Sequence, residues 1–429
     1  MLSSSLTSVL RCSALCCCIS CGVLLHDLSF GLVASLAQVQ TITSLKQSAL
    51  QEPVFNRSAY NPAVLHVRFT EAVDRTLDSA ADAFLDLTLI PASGKVEGLR
   101  VELSKSVFLQ KLRGLYRQLS RQESLQVDDP SSPSRQLHAL LIEGITPILE
   151  REKITTVLLA ADRGLQAVPF AALSDGQRFF GDRYAFAITP SLALTEFNAA
   201  DNPDQRLLAF GASEFQGLSD LPLVPQELNR ISAAAGKDQF LNREFTASAL
   251  IEKAGLSRYD QLHVATHAEF KPGGPQASQL HSGAGPISMS ELASLRQKRQ
   301  GIPLDLVVFS ACRTALGDAE AELGFSGLAL QAGARSAIGT LWYVDDVATS
   351  AYFVQMYRFL ADGIPKAEAM QMTRQAFVRG LVRLDGHQVL GVGDVALLSD
   401  LNPLQQRRAA AGFSNPFFWG GIELMGAPW

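Results

Sequence analysis

The chain has 429 residues, of which 47% are apolar and 18% charged, and its formal net charge at pH 7 is -5. This composition is that of a globular protein with one large core or two medium ones, and it excludes an intrinsically disordered chain. There is no long basic run, so the composition gives no support for nucleic-acid binding.

The N-terminus has the features of a secretory signal. Five of the six cysteines lie in residues 12–25, an apolar stretch that follows the single basic residue Arg11. The stretch is short for a membrane span and suits a signal-peptide core, with small residues at 35–37 as a cleavage site. We therefore expect residues 1–37 to be a signal peptide and the protein to be secreted or periplasmic. The alternatives are an uncleaved membrane anchor, a lipidated Cys-rich end, and a misassigned start codon with a cytoplasmic protein.

Residues 38–110 are predicted to form a smaller α+β lead-in region. VLHVRF (64–69) and AFLDLTLI (83–90) are typical of strands, and a Pro- and Gly-containing turn follows the second one. Apolar residues at helical spacing predict a helix over 104–122, with Ser104 as its N-cap.

The next segments predict a loop over 127–136, rich in Ser, Pro and Asp, and a helix over 136–150. Short apolar strands and helices alternate from there to the C-terminus. Strands are predicted at 155–161, 206–212, 262–266, 304–310, 335–342 and 417–426, and helices at 225–236, 246–255, 324–334, 345–363 and from Pro365 onward. This alternation predicts an α/β fold with a mostly parallel sheet and helices on both faces.

Two of these strands lead into residues that can do chemistry. LHVAT is followed by His267 and Ala268, and LDLVVFS by Ala311 and Cys312. Functional groups gather at the carboxyl ends of parallel strands, so neighbouring strands would bring a thiol and an imidazole together, with backbone N–H groups nearby for an oxyanion. A cysteine that only fills space in the core and a histidine with a structural hydrogen bond are the alternatives.

Other kinds of site have no support in the sequence. His263 and His267 are four residues apart on a predicted strand, which separates them by about 13 Å and rules out a shared metal ion. There is no G-x-S-x-G, P-loop or G-x-G-x-x-G motif. We therefore expect no metal and no cofactor.

Several segments resemble the CHAT domain, particularly that of cyanobacterial members. The resemblance covers residues 111–429 and implies a caspase-like fold and a cysteine endopeptidase that acts on proteins or peptides. Many relatives carry tetratricopeptide repeats before the domain; this chain shows none, so we expect no partner docked on such repeats, and its oligomeric state stays open. The segments are ITTVLLAADRGLQAVPFAAL, QLHVATHAEF, VVFSACRTALGD, GLALQAGARSAIGTLWYVDDVAT and NPFFWGGIELMGAPW, in this order.

The resemblance implies His267 as general base and Cys312 as nucleophile, with the amides of Ala268 and Cys312 as oxyanion donors. Many relatives have Gly where this chain has Ala268, which would strain a turn of positive φ. LWYVDD is similar to a separase segment and implies that Asp346 lines the P1 pocket and favours a basic residue. Capping of the helix that follows is the other interpretation of Asp346 and the favoured one for Asp345.

Two rival interpretations of the whole chain stay open. One is a scaffold or sensor that uses the fold without catalysis. The other is a latent peptidase whose Gly- and Pro-rich loop at 271–286 covers the site until a partner or self-cleavage orders it. Glu227 resembles a residue that is common at this position in the family, but the sequence suggests no role for it beyond a charge in the first turn of a helix.

Overall fold

The computed structural model describes most of the chain after residue 60, with gaps. The signal peptide predicted for residues 1–37 lies outside the described residues, as do five of the eleven residues of the helix predicted for 324–334. Within the described residues, no helix is long and apolar enough to cross a membrane. The described residues are 61–71, 81–162, 164–189, 192, 195, 205–232, 238–269, 278–312, 327, 329–330, 332–342 and 345–429.

The strands predicted from the sequence are present, and the structure adds several short ones. The C-terminal strand starts at Ile422, later than predicted, because Pro416–Phe418 form a 3₁₀ turn. The strands are β1 Pro62–Glu71, β2 Ala83–Pro91, β3 Glu97–Leu103, β4 Thr156–Ala161, β5 Ala185–Thr189, β6 Leu207–Gly211, β7 Asp238–Leu241, β8 Gln261–Glu269, β9 Gln279–Ser282, β10 Gly285–Ser288, β11 Leu306–Cys312, β12 Ser336–Thr340, β13 Arg383–Asp385, β14 Gln388–Leu390, β15 Ala396–Leu398 and β16 Ile422–Gly426.

The helices follow the predicted pattern in most places. Helix α9 has twelve buried side chains, in keeping with its apolar sequence. The helices are α1 Lys105–Ser120, α2 Pro133–Leu141, α3 Thr146–Arg151, α4 Phe180–Arg183, α5 Val224–Ser232, α6 Ala247–Ala254, α7 Met289–Ala293, α8 Leu295–Lys298, α9 Asp346–Ala361, α10 Lys366–Val378 and α11 Pro403–Ala409.

The segment from 127 to 150 differs from the prediction. The loop ends earlier, since α2 begins at Pro133, and the single helix expected over 136–150 is divided between α2, a 3₁₀ turn and α3. Pro147 explains the break. It lacks an N–H and cannot continue the ladder of the preceding helix, but it fits the first turn of a new one.

One large sheet joins thirteen of the described strands. Strands β7, β6, β8, β11 and β12 lie side by side and parallel, and β16 continues the sheet antiparallel to β12. Beyond β16 the order is β5, β4, β1, β2 and β3, so the strands of the lead-in region belong to the same sheet. The mostly parallel α/β sheet expected from the sequence is confirmed.

Side chains of the sheet pack on helices on both faces. Along β8, Leu262 and Val264 lie in one apolar cluster with residues of α6, α7 and α8, whereas Ala265 lies in the other with residues of α5 and α9. This division follows the alternation of side chains along a strand. His263, Ala265 and His267 therefore share the face that α5 and α9 cover.

Candidate functional site

The two strands that carry the predicted dyad are neighbours. β8 and β11 run parallel, and their register pairs Cys312 with His267. Neighbouring strands lie about 4.8 Å apart, so the two backbones meet at the carboxyl-end edge of the sheet. For Cys312 the structure describes the backbone. The sequence predicts that His267 and Ala268 follow the strand, but in the structure both lie inside β8. The strand is longer than predicted because β9 pairs with Ala268 and Glu269.

The imidazole of His267 is held by a loop that precedes it by almost fifty residues. Its Nε2 lies 2.7 Å from the backbone oxygen of Ser219. A carbonyl oxygen only accepts, so Nε2 carries the proton and donates it, which leaves Nδ1 of the neutral ring as an acceptor. The ring of Phe215 packs against the imidazole with a centroid distance of 4.7 Å. The histidine is thus fixed in one tautomer and one orientation.

The loop that carries Ser219, residues 212–223, closes on itself. The N–H of Leu221 donates to the oxygen of Ser213 at 2.9 Å. Near the tip Gly217 has a φ of +86°, a conformation that glycine adopts without strain. This closed loop presents the Ser219 carbonyl to the ring of His267.

Ala268, the predicted oxyanion donor, is buried in the strand opposite Leu280 of β9. It is not among the residues of positive φ. The strain that a tight turn would have imposed on an alanine is therefore absent, and alanine in place of glycine is compatible with this backbone. The oxyanion role of its amide stays a prediction.

The loop predicted over 271–286 contains regular structure in its second half. β9 and β10 form an antiparallel hairpin there, and the hydroxyl of Thr266 in β8 donates to the carbonyl of His281 in β9. The side-chain amide of Gln279 also donates to Glu269 Oε2 at 3.2 Å. Residues 270–277 lie outside the described residues. The part of the segment that the structure describes is thus anchored to the end of β8.

Asp345 caps α9, as the sequence favoured. Its Oδ1 accepts from the backbone N–H groups of Val347 at 3.0 Å and Ala348 at 3.2 Å. Burial of its side chain raises the pKa of the Asp345 carboxyl above its ordinary value, in spite of these two donors and the nearby Arg408. The role of Asp345 is therefore structural.

Asp346 is the first residue of α9 and already has a cationic partner. Its Oδ1 accepts from Nη1 of Arg408 at 3.2 Å, and Arg408 also lies 3.7 Å from Asp345 Oδ2. The side chain of Arg408, in α11, is 48% exposed. The carboxylate predicted to meet a basic P1 side chain thus pairs with an arginine of its own chain, and its role in substrate binding stays a prediction.

The sequence interpretation missed two features of this region. One is the Ser219 carbonyl, a backbone atom of a loop, which no residue pattern identifies. The other is Glu227, which is completely buried and lies 2.9 Å from Nε2 of His263. A signal for Glu227 existed, because an acidic residue on the apolar face of an amphipathic helix implies a buried partner.

Comparisons with known proteins identify the family and the fold of the chain. The CHAT domain model matches residues 131–427. No curated protein matches the chain. It is similar to two crystal structures of the separase–securin complex of Saccharomyces cerevisiae, with TM-scores of 0.52 and 0.50 at 9% and 10% identity. These matches cover 92% of this chain but only 31% of the matched chain.

The crystal structure of the Arg-specific cysteine proteinase gingipain R is also similar, with a TM-score of 0.41 at 11% identity, over 76% of this chain and 75% of that one. The family match covers more than half of the chain, and the structural similarity to separase extends over 92% of it. The chain therefore belongs to the CHAT domain family and has the α/β fold of caspase-like cysteine peptidases.

Proposed function

We propose that this chain is a cysteine-type endopeptidase in which His267 is the general base and Cys312 the nucleophile. The register of β8 and β11 carries the proposal, because it sets Cys312 opposite a histidine whose Nε2 is committed to the Ser219 carbonyl. A neutral imidazole held in this way presents Nδ1 to accept a proton. Membership in the CHAT domain family supports the same assignment.

In the proposed first step the thiol proton of Cys312 moves to Nδ1 of His267, and the thiolate attacks the carbonyl carbon of the scissile peptide bond. The electron pair of the C=O bond moves to its oxygen, which the amides of Ala268 and Cys312 stabilise. When the tetrahedral intermediate collapses, the C–N bond breaks and the Nδ1 proton passes to the leaving amine. The products are a thioester acyl-enzyme and a free amine fragment.

In the second step water attacks the thioester carbonyl and gives a proton to Nδ1 of His267. The C–S bond then breaks, the sulfur of Cys312 recovers its proton, and the carboxylic acid fragment leaves. The Ser219 carbonyl supports both steps, because it accepts from Nε2–H and stabilises the imidazolium that forms twice in each cycle.

The proposed substrates are proteins or peptides with a basic P1 residue, which would pair with the carboxylate of Asp346. Such a residue must displace Arg408 from Oδ1 or share the carboxylate with it. A half-exposed ion pair contributes little to stability, so this exchange costs little free energy.

The proposal is tested by covalent labelling. Purified protein is treated with peptide acyloxymethyl ketones that carry Arg, Lys, Leu or Asp at P1, and the labelled residue is identified by mass spectrometry. We expect labelling of Cys312 in the wild type and in His387→Ala, a control histidine far along the chain, and loss of labelling in Cys312→Ala and His267→Ala.

Three other outcomes would change the interpretation. Labelling that persists in His267→Ala at the wild-type rate would remove the general base from the mechanism. Labelling that develops only after a lag or a proteolytic nick would indicate a latent enzyme. Folded wild-type protein that reacts with none of the four peptides would favour the scaffold or sensor interpretation.

A further inference from the structure

A buried polar cluster joins three elements below the candidate site. Glu227 of α5, His263 of β8 and Ser350 of α9 are each buried. Glu227 Oε1 lies 2.9 Å from His263 Nε2, and its Oε2 accepts a hydrogen bond of 2.6 Å from the Ser350 hydroxyl. Because each oxygen has its own partner on a different element, the carboxylate ties a strand and two helices together.

Apolar packing around the cluster excludes water, so the loss of either hydrogen bond would be costly. The ring of His263 contacts Phe353 and Tyr357 edge-on, with centroid distances of 5.6 and 5.5 Å. In such surroundings a polar group that loses its partner is left without hydration. Removal of the carboxylate would therefore leave both His263 and Ser350 unpaired and weaken the attachment of α5.

The attachment of α5 matters because α5 continues directly from the loop that holds His267. That loop ends at Leu223, whose carbonyl accepts from the N–H of Glu227. The helix also lies close to β6, where a Cβ added to Gly211 would come within 2.6 Å of Val224. The C-terminal end of the loop is thus fixed by the position of α5, one turn before Glu227.

His263 and His267 complete the link, since they lie four residues apart on the same face of β8. One binds the helix through Glu227, and the other binds the loop that leads into that helix through Ser219. The loop, α5 and β8 are therefore connected to one another, and the imidazole of His267 is held by the loop.

We propose that Glu227 is a positioning residue for His267: by holding α5 between β8 and α9, it sets the loop whose Ser219 carbonyl fixes the tautomer of the base. The catalytic consequence rests on the proposed peptidase function. The structural part concerns the His267 tautomer and does not depend on activity.

The first experiment reads the tautomer directly. The ring ¹⁵N spectrum of histidine-labelled protein is recorded above the titration range of the imidazoles, and His267→Gln assigns its signals among the seven histidines. We expect the Nε2–H form of His267 in the wild type and in Glu227→Gln, whose amide can still bond to both partners. In Glu227→Ala we expect a mixture of both tautomers. If Glu227→Ala does not fold, Glu227→Asp replaces it, because the shorter side chain cannot reach both partners.

Asp305→Ala is the matched control. Asp305 accepts from Lys366 Nζ at 2.9 Å in a buried ion pair, which lies at the opposite, amino-terminal end of β11. Its loss should lower stability to a similar degree and leave the His267 spectrum unchanged. A pure Nε2–H form in folded Glu227→Ala, or a mixture in Asp305→Ala as well, would overturn the positioning role.

The second experiment measures peptide hydrolysis with active-site titration. For Glu227→Ala we expect kcat per active molecule to fall about tenfold or more, because a slightly misplaced base slows proton transfer, with KM nearly unchanged. Glu227→Gln should recover most of the loss. An inactive wild type whose His267 tautomer still depends on Glu227 would contradict the peptidase proposal and leave the positioning role intact, whereas an active Glu227→Ala with wild-type kcat would refute the catalytic consequence of that role.

Discussion

The pairing of Arg408 with Asp346 makes a quantitative prediction about P1 specificity. If Asp346 meets a basic P1 side chain, Arg408 competes for the same carboxylate oxygen, from which its Nη1 lies 3.2 Å. Replacement of Arg408 by alanine removes the competitor. Because Arg408 is half exposed, its pair is worth at most about 1 kcal/mol, which corresponds to about a fivefold change in rate.

The assay compares two substrates that differ only in charge. Peptide acyloxymethyl ketones with arginine or the neutral isostere citrulline at P1 are used, and the ratio of their second-order labelling rates isolates the electrostatic term. We expect Arg408→Ala to raise the arginine-to-citrulline ratio by up to about fivefold, and Asp346→Asn to lower it toward one. Arg383→Ala removes an exposed ion pair of the same kind, to Asp394 at 2.8 Å, and should leave the ratio unchanged.

Two results would refute this reasoning. A ratio that Asp346→Asn does not change would show that the carboxylate does not contact P1, and the capping end of α9 would then serve structure alone. A ratio that falls in Asp346→Asn but does not rise in Arg408→Ala would show that Arg408 leaves the carboxylate without a measurable cost.

Two further predictions concern stability. Burial raises the pKa of Glu423 well above its ordinary value despite nearby Arg374. The native state therefore keeps a proton that the unfolded chain loses as pH rises above about 4.3. The free energy of unfolding should then fall with rising pH, by up to about 1.4 kcal/mol per pH unit. In urea denaturation at pH 5, 6 and 7, the free energy of unfolding of Glu423→Gln should therefore increase relative to that of the wild type as pH rises. A difference between the two proteins that does not depend on pH would mean that the carboxyl is ionised beside Arg374. At α9, Asp345→Ala removes the N-cap and should lower the free energy of unfolding by about 1 kcal/mol. Asp345→Asn keeps the hydrogen-bond acceptor without a carboxyl of raised pKa, so it should be at least as stable as the wild type at pH 7. Equal stability of the two variants would contradict the capping role.

The sequence predicted the core of this fold because its strands are short, apolar and buried on both faces. The apolar pattern predicts β8 and β11 to within a few residues, and their shared carboxyl-end edge predicts that His267 and Cys312 are neighbours, as their register confirms. The proposed dyad of these two residues depends on the family resemblance, since position alone does not separate a nucleophile from a core cysteine.

The sequence failed where a single residue outweighed the periodicity. The apolar pattern of 136–150 continues through Pro147, but the missing N–H ends one helix and starts another. The sequence does not reveal the hairpin of β9 and β10, because both strands are only four residues long and β10 begins with Gly285 and Pro286, residue types that are typical of loops. The pairing of β9 depends on a tertiary contact, because it is made with Ala268 and Glu269 at the end of β8.

The two histidines of β8 show how their surroundings divide the roles of one residue type. His263 is completely buried, and its Nε2 lies 2.9 Å from a carboxylate oxygen of Glu227, so its side chain is tied into the architecture. His267 stands at the edge of the sheet against a neutral carbonyl, which orients the ring without binding a charge as strongly. A general base must gain and lose its proton in every cycle, and a partner that favours the imidazolium too strongly would oppose the second half of that cycle. The pairing of a fixed histidine with Glu227 and a cycling one with Ser219 is therefore what the proposed chemistry requires.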